Sequence, residues 1–256
     1  MKNIILIPAL GEKSGLAALL ERIPSTLNAQ VLILDGGQNG WEKGIRETVT
    51  CLVVPPGNGN AIRAGFTYAL QNNYETIYRI DSDYQYDPAL LPLLQNKLNL
   101  GADFIIGARY HPNANCIGTK PPDDRVLLNL MVRDTINRIT NLTLHDVVSG
   151  LWCLRRSVVE YLLPRLQTEG YGLTMEIILK LWHAKNFTIS EVPHIACYSG
   201  TPKLDGLYGN NDHSLANRTA RLAEYLTVIT KTLHNIGITD LWNKLIQSPN
   251  QNKPND

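Results

Sequence analysis

The chain of 256 residues has few cysteines, little net charge and no long apolar run, and each shortage excludes a class of protein. The cysteines are far apart and form no CxxC pair, which argues against a zinc site and a disulfide framework: Cys51, Cys116, Cys153 and Cys197. A formal net charge of +1 lacks the basic surplus expected of a nucleic-acid-binding protein. No apolar run approaches the roughly 18 residues that would cross a bilayer. We therefore expect a cytoplasmic protein with reduced thiols, which contacts a membrane only peripherally.

The chain does contain an alternation of short β-rich runs and helical patterns. Hydrophobic residues make up 44% of the sequence, enough for the full core of one globular unit. Strands are predicted at 3–8, 31–35, 51–56, 76–81 and 103–109, and helices at 14–24, 59–73 and 88–99. Apolar strands separated by helices predict an α/β fold, a Rossmann-like three-layer α/β/α sandwich with a mostly parallel sheet. The apolar start, interrupted by Pro8, is expected to be the first strand rather than a signal peptide.

The second half is less regular. Its predicted elements are helices at 122–140, 156–164, 173–185 and 214–235, strands at 149–154 and 187–193, and a loop at 198–213. The last helix carries an apolar stripe that predicts a core or dimer contact more than a membrane surface: Leu222, Leu226, Ile229, Leu233 and Ile236. The expected organisation is a main domain at 1–210, a C-terminal helical extension at 211–246 and a polar, disordered tail at 247–256.

The stretch "DSDYQYDP" at 81–88 ends a predicted buried strand. In an extended segment, Asp81, Asp83 and Gln85 would share one face, because side chains alternate along a strand. Two adjacent carboxylates stay ionised only when a cation or donors compensate them, and such oxygen ligands suit Mg²⁺ or Mn²⁺. The alternative is that one aspartate caps the next helix and the other is solvated.

A glycine-rich turn, "GNGNAIRAG" at 57–65, follows the third predicted strand. Gly57 and Gly59 would let backbone N–H groups approach an anion at the start of a helix. The turn lacks the Gly-Lys-Ser/Thr ending of a P-loop and the spacing of a dinucleotide fingerprint. A tight turn with an ordinary helix cap explains the same residues equally well.

Taken in order, these segments resemble family 2 glycosyltransferases of the GT-A fold, and most of all the dolichol- and polyprenyl-phosphate mannose or glucose synthases. The resemblance covers about residues 3–205. It rests on "IPALGEK", "VLILDGGQNG", "GNGNAIRAG", "DSDYQYDP", "DFIIGARY", "DVVSGLWCLRR", "GYGLTMEI" and "SGTPK", each similar to a family motif in the expected place. Each motif is modest, but their joint order and spacing are specific.

The resemblance implies roles for individual residues. The substrate-binding positions would be Pro8, Glu12, Asp35, Gly57, Gly59, Asp81, Ser149 and Lys203, with Glu12 and Asp35 holding the base and ribose of a nucleotide. Asp81, Asp83 and Gln85 match the positions that bind a divalent metal and the diphosphate. The catalytic positions would be Asp83, Arg109, Asp146 and Glu176, of which Arg109 approaches the phosphates or the acceptor and the last two lie near the sugar and the acceptor. For Asp146 and Glu176 the alternative is a buried carboxylate that is paired with an arginine or with backbone donors.

The chain also departs from the family pattern, mainly where nucleotide and phosphate bind. Gly11 stands in place of an asparagine and Gly36 in place of a second aspartate. Asn58 replaces the lysine of the glycine loop, Trp152 stands where arginine or lysine is common, and Cys197 stands where an arginine is expected. These departures leave the donor and the acceptor class open.

The function implied by the resemblance is a metal-dependent, inverting transfer of sugar from GDP-mannose or a UDP-sugar to a polyprenyl phosphate. Mg²⁺ or Mn²⁺ is the expected cofactor, a membrane surface and a second copy bound through the C-terminal helix are expected partners, and nucleic acid is not. Two alternatives stay open: a soluble hydroxyl acceptor, with Asp146 or Glu176 as base, and a non-catalytic nucleotide-sugar binder. A sugar-phosphate nucleotidyltransferase is disfavoured, because its glycine-rich loop is missing after "IPAL".

Overall fold

The fold is described by a computed structural model that covers residues 2–10, 14–37, 49–83, 85–114, 116–117, 123–194, 196–197 and 215–240. The strands are β1 Asn3–Ala9, β2 Ala29–Asp35, β3 Thr50–Val53, β4 Thr76–Arg79, β5 Phe104–Ala108, β6 Cys116–Ile117, β7 Trp152–Arg155, β8 Ile189–Pro193 and β9 Ala196–Cys197. The helices are α1 Ser14–Arg22, α2 Asn58–Gln71, α3 Leu91–Asn99, α4 Asp123–Thr140, α5 Arg156–Leu162, α6 Leu173–Ala184 and α7 Leu215–Asn235. These elements confirm the predicted alternation, although β4 ends two residues earlier than predicted.

Seven strands form one sheet in the order β3-β2-β1-β4-β7-β5-β8. All neighbours are parallel except β7, which runs antiparallel to both β4 and β5. The predicted mostly parallel sheet is therefore confirmed. Because β7 is reversed, the residues just before it meet the carboxyl ends of the parallel strands, and we call this side of the sheet the carboxyl edge.

The sheet is covered on both faces, as a buried parallel sheet requires. One hydrophobic cluster takes Ile4 and Leu6 of β1 together with residues of α2, α4, α5, α6 and α7. The other takes Ile5 and Ile7 of the same strand together with residues of α1 and α3. The alternation along β1 thus places the strand in the middle of a three-layer sandwich.

Helix α7 packs as part of the larger cluster. Ile229 and Leu233 are buried, and Leu222 and Ile236 are partly buried against them. Leu226 lies outside this core: its side chain is 47% exposed, because the neighbouring Tyr225 takes the inward position on that turn. A dimer contact at Leu226 stays a prediction. No helix of the described residues is long and apolar enough to cross a membrane.

The same helix lies tightly against the "GYG" segment at 170–172. The Glu224 carboxylate accepts a hydrogen bond from the Tyr171 N–H at 2.6 Å. A Cβ on Gly172 would come within 2.6 Å of Val228, and one on Gly170 would overlap Glu224. Both glycines therefore permit a close approach that any side chain would prevent.

Candidate active site

The residues predicted to hold the nucleotide lie where β1 and β2 reach the carboxyl edge. Pro8 is buried in β1 opposite Leu34, and Asp35 ends β2 opposite Ala9. Asp35 is 3% exposed, and its Oδ1 accepts a hydrogen bond from the Gly37 N–H at 2.9 Å. Their roles stay predictions, and Glu12 and Lys203 fall outside the described residues.

The acidic stretch after β4 is a turn rather than an extended segment. The chain leaves the sheet at Arg79 and turns at Ser82 and Asp83, so the strand alternation assumed for the aspartates was wrong. Asp83 Oδ1 accepts a hydrogen bond from the Gln85 N–H at 3.1 Å, which closes the turn. The following 3₁₀ helix, Pro88–Leu90, is capped by Asp87, so neither Asp81 nor Asp83 serves as that cap.

The turn offers oxygen ligands that fit a hard divalent cation. The Asp81 side chain is 30% exposed, and Asp83 and Gln85 are also partly exposed, so a small ion can reach them. Within the described ranges, no group of three or more His, Cys, Asp and Glu side chains is placed to hold a metal ion. Any such ion would therefore depend on Gln85, on water or on a bound substrate to complete its ligands.

Three residues that sequence reasoning missed fix the position of Asp81. Arg79 donates to Asp81 Oδ1 from Nε at 3.2 Å and from Nη2 at 2.8 Å. A Cβ on Gly150 would overlap the Asp81 carboxylate, so the carboxylate keeps this position only beside a glycine. The Gly150 N–H donates to the buried Tyr86 hydroxyl at 2.7 Å. The one sequence feature that could have indicated this pairing is an arginine at the end of an apolar strand.

Ser149, predicted to contact substrate, is fully buried and bonded to the backbone. Its hydroxyl donates to the Gly107 carbonyl at 2.7 Å and accepts from the Leu151 N–H at 3.2 Å. These bonds join the start of β7 to the end of β5. In this arrangement Ser149 holds the strands that carry Gly150 and Arg109.

Arg109 and Asp146 form a buried, two-pronged ion pair at the end of β5. Arg109 Nε donates to Asp146 Oδ2 at 2.7 Å and Nη2 donates to Oδ1 at 3.1 Å, and the two side chains are 6% and 0% exposed. Burial works to lower the pKa of Arg109, but Asp146, Tyr86 and Tyr110 together outweigh it and hold this pKa well above its ordinary value. Glu191 anchors the pair by accepting the Asp146 N–H at 3.0 Å and the His145 N–H at 2.8 Å. Asp146 is thus a fixed counterion.

Glu176 is buried and holds a neighbouring loop. Its carboxylate accepts the Gln167 N–H at 3.0 Å and the Thr168 N–H at 2.8 Å, and Lys180 Nζ lies 3.4 Å away. Every oxygen of this carboxylate therefore has a partner within the protein. These contacts match the alternative that the sequence left open for Glu176, a buried carboxylate held by backbone donors.

The glycine turn is occupied by the same loop. The N–H groups of Gly59 and Asn60 both donate to the Glu169 carbonyl, at 2.8 and 3.2 Å. Gly57 has a φ of +113°, and a Cβ there would lie 2.5 Å from the Glu169 oxygen. The structure therefore supports the helix-cap explanation for these glycines, while anion binding stays a prediction.

Two more buried side chains complete the carboxyl edge. His194 follows β8, and neither of its ring nitrogens has a hydrogen-bond partner in the part of the chain that the structure describes. Burial, helped by Arg109, lowers the pKa of His194 to about 3, so the ring is neutral at physiological pH. Its ring meets that of Tyr86 edge-on at 4.9 Å between centroids. A neutral ring adds no charge between Tyr86 and Arg109.

The buried Tyr225 of α7 is surrounded by several charged side chains. Burial raises the pKa of its hydroxyl, whereas Arg221, Arg109 and Arg125 act to lower it. Guanidinium groups from α7, the end of β5 and α4 therefore share one electrostatic environment. With the oxygen ligands of the acidic turn, this edge is suited to a phosphate-containing ligand and a hard cation.

Comparison with solved structures identifies the fold. Glucosyl-3-phosphoglycerate synthase from Mycobacterium tuberculosis, in complex with Mn²⁺, UDP and phosphoglyceric acid, matches with a TM-score of 0.67 and 16% identity. The match covers 93% of this chain and 80% of that one. A second structure of that synthase, with Mn²⁺, UDP-glucose and phosphoglyceric acid, gives a TM-score of 0.65 and 17% identity. The fold is therefore that of the GT-A glycosyltransferases.

The family model described as Glycosyl transferase family 2 matches residues 4–163, and the chain belongs to this family. It is a glycosyltransferase that uses nucleotide sugars. It is 25% identical over 207 residues to polyprenol monophosphomannose synthase of Mycolicibacterium smegmatis, covering 75% of this chain and 76% of the relative. It is 29% identical over 213 residues to dolichol-phosphate mannosyltransferase of Pyrococcus furiosus, covering 75% of this chain and 56% of the relative. The undecaprenyl-phosphate mannosyltransferase of Micrococcus luteus is 24% identical over 191 residues, covering 70% of this chain and 77% of the relative.

Proposed function

We propose that this glycosyltransferase moves a sugar from a nucleotide diphosphate sugar to a polyprenyl phosphate, with inversion at the anomeric carbon. GDP-mannose is the first donor to test, because the three relatives are named as prenyl-phosphate mannose synthases. A UDP-sugar is the second, since the solved structures of similar fold contain UDP or UDP-glucose. A lipid acceptor places the enzyme at the inner face of the membrane as a peripheral protein.

The proposal of a phosphate acceptor rests on the contacts that the Asp146 and Glu176 carboxylates already make within the protein. A hydroxyl acceptor needs a base to take its proton, and these were the two predicted candidates. Asp146 is locked to Arg109, and Glu176 is bonded to two backbone N–H groups beside Lys180. A phosphate acceptor needs no base, because its oxygen is already anionic. The occupied carboxylates therefore favour a phosphate over a hydroxyl.

The proposed step is a single displacement. A phosphate oxygen of the acceptor forms a bond to the anomeric carbon while the bond from that carbon to the donor diphosphate breaks, and the electron pair leaves with the diphosphate. Asp81, Asp83 and Gln85 would hold Mg²⁺ or Mn²⁺, which supplies positive charge to the departing diphosphate when bound.

The arginines around Tyr225 are the proposed place for the acceptor phosphate. Arg125 and Arg221 both act on the Tyr225 hydroxyl, together with Arg109, whose charge Asp146 balances, and Glu224, so an anion there would meet the positive charges of Arg125 and Arg221. In this proposal the acceptor would bind on the α4 and α7 side and the donor diphosphate on the acidic-turn side. Transfer would take place between them, close to Arg109.

The test is transfer of labelled sugar with the full chain in Mn²⁺. GDP-mannose, UDP-glucose and related donors are each incubated with a polyprenyl phosphate in detergent, with the matching polyprenol, and without acceptor. We expect a sugar-linked lipid phosphate only with the phosphorylated acceptor, and at least a tenfold loss in Arg125→Gln. Transfer to the polyprenol would contradict the acceptor class. Release of nucleotide without any lipid product, or no turnover at all, would favour a soluble acceptor or a nucleotide-sugar binder.

A further inference from the structure

Arg79 is an unusual residue for the end of a buried strand. It follows Thr76, Ile77 and Tyr78 in β4, and its side chain is only 5% exposed. Its guanidinium lies 5.7 Å from the centre of the Trp152 ring. A buried cation is tolerated only when it is paired, and the partner here is Asp81, one of the two carboxylates proposed to bind the metal.

The pairing leaves little room around the Asp81 carboxylate. Both Nε and Nη2 of Arg79 donate to the same oxygen, Oδ1. The other oxygen, Oδ2, lies against the Cα of Gly150, where even a methyl group would not fit. An incoming cation must therefore share Oδ1 with a guanidinium group or approach Oδ2 beside the backbone.

The pairing also reduces the charge available to a metal. The carboxylates of Asp81 and Asp83 together with the guanidinium of Arg79 carry one net negative charge. A unit positive charge a few ångströms from a divalent ion repels it substantially even at an effective dielectric constant of about 20. The donor diphosphate would bring the missing negative charge and further oxygen ligands.

We propose that Arg79 keeps the affinity for the free metal low, so that the divalent ion binds together with the nucleotide donor. Arg79 is then a positioning residue that couples two ligands through Asp81, and it touches neither the sugar nor the acceptor. The inference rests on the proposed metal site. It adds that occupancy of this site is controlled from within β4.

The experiment measures Mn²⁺ binding rather than turnover. Electron paramagnetic resonance of free Mn²⁺ and calorimetry give its dissociation constant for the full chain, alone and with saturating GDP or UDP. Arg79→Gln keeps a hydrogen-bond donor without the charge, Arg79→Met keeps the length without either, and Arg79→Lys keeps the charge. Asp81→Asn tests the metal site itself.

The wild-type protein should bind Mn²⁺ weakly alone and at least tenfold more tightly with the nucleotide. Arg79→Gln and Arg79→Met should bind Mn²⁺ alone about tenfold more tightly than the wild type, with a smaller gain from the nucleotide, and Arg79→Lys should resemble the wild type. If Arg79→Gln, or Arg79→Met where the former does not fold, binds Mn²⁺ no more tightly, the coupling role is overturned while the metal site stands. If Asp81→Asn leaves binding unchanged, or no form binds Mn²⁺, the proposed metal site fails and the inference fails with it.

Discussion

Gly150→Ala tests whether the position of Asp81 matters for transfer. The new Cβ would lie 2.7 Å from Asp81 Oδ1 and much closer to the rest of the carboxylate, whereas ordinary contacts begin at 3.4 Å. The carboxylate must therefore retreat by about 1 Å or more, and displacements of about 1 Å at a reacting site can reduce rates by about a hundredfold. Because the Asp81 side chain is 30% exposed, it can swing into solvent. We expect a stability loss of only about 1–2 kcal/mol.

The assay compares kcat/KM for sugar transfer with the free energy of unfolding in urea. Gly101→Ala is the matched control, because Gly101 has a φ of +104°, has no atom within 4 Å of its missing Cβ and lies at the opposite end of β5. This control should lose about 1 kcal/mol of stability through backbone strain and keep its activity. A folded Gly150→Ala protein with wild-type kcat/KM would show that Asp81 is not needed where the structure places it, and the metal assignment would fall.

Three further outcomes are expected. Asp146→Asn should destabilise the fold by about 3–5 kcal/mol in urea, because it leaves the buried Arg109 cation without its counterion; a loss below about 1 kcal/mol would refute the importance of the pair. Gly59→Ala should lower stability by about 1–3 kcal/mol, since the Cβ would overlap the Thr168 carbonyl oxygen and sit 2.8 Å from its carbon, and an unchanged urea midpoint would contradict this. The pKa of His194 is about 3 in the folded protein and ordinarily 6.5, so between these two values only the unfolded chain binds the proton. Acidification from about pH 6.5 towards pH 3 should therefore lower the free energy of unfolding by up to about 1.4 kcal/mol per pH unit. His194→Leu should flatten that dependence, and an identical pH profile would show that this ring does not cause it.

Much of the architecture follows from local patterns in the sequence. Runs such as 3–8 and 31–35 are apolar on both faces, and only a sheet covered on both sides can bury them. The turn residues after these runs therefore had to gather at one edge, as Asp35, Asp81 and Arg109 do. The helical stripe did not show by itself that Leu226 lies outside the core, because such a stripe specifies a face only to within one residue and Tyr225 occupies the inward position.

The chemistry of the site depends on partners that lie far apart in the sequence. Asp146 and Glu176 could be read as free bases until the fold placed Arg109 against the first and the 167–168 backbone against the second. The glycine turn could be read as an anion site until the Glu169 carbonyl, more than a hundred residues later, accepted its N–H groups.

The residues that reach the carboxyl edge could be predicted from local patterns alone, because periodicity and strand ends are local properties that hydrophobic burial enforces. Their roles at this edge depend on contacts that exist only in the folded chain. Whether a carboxylate can bind a metal, take a proton or merely balance a buried charge depends on the atoms within about 3 Å of it. At Asp81 those groups are Arg79, two residues earlier in the chain, and Gly150, which lies just before the reversed strand β7. No spacing along the chain could reveal the contact with Gly150.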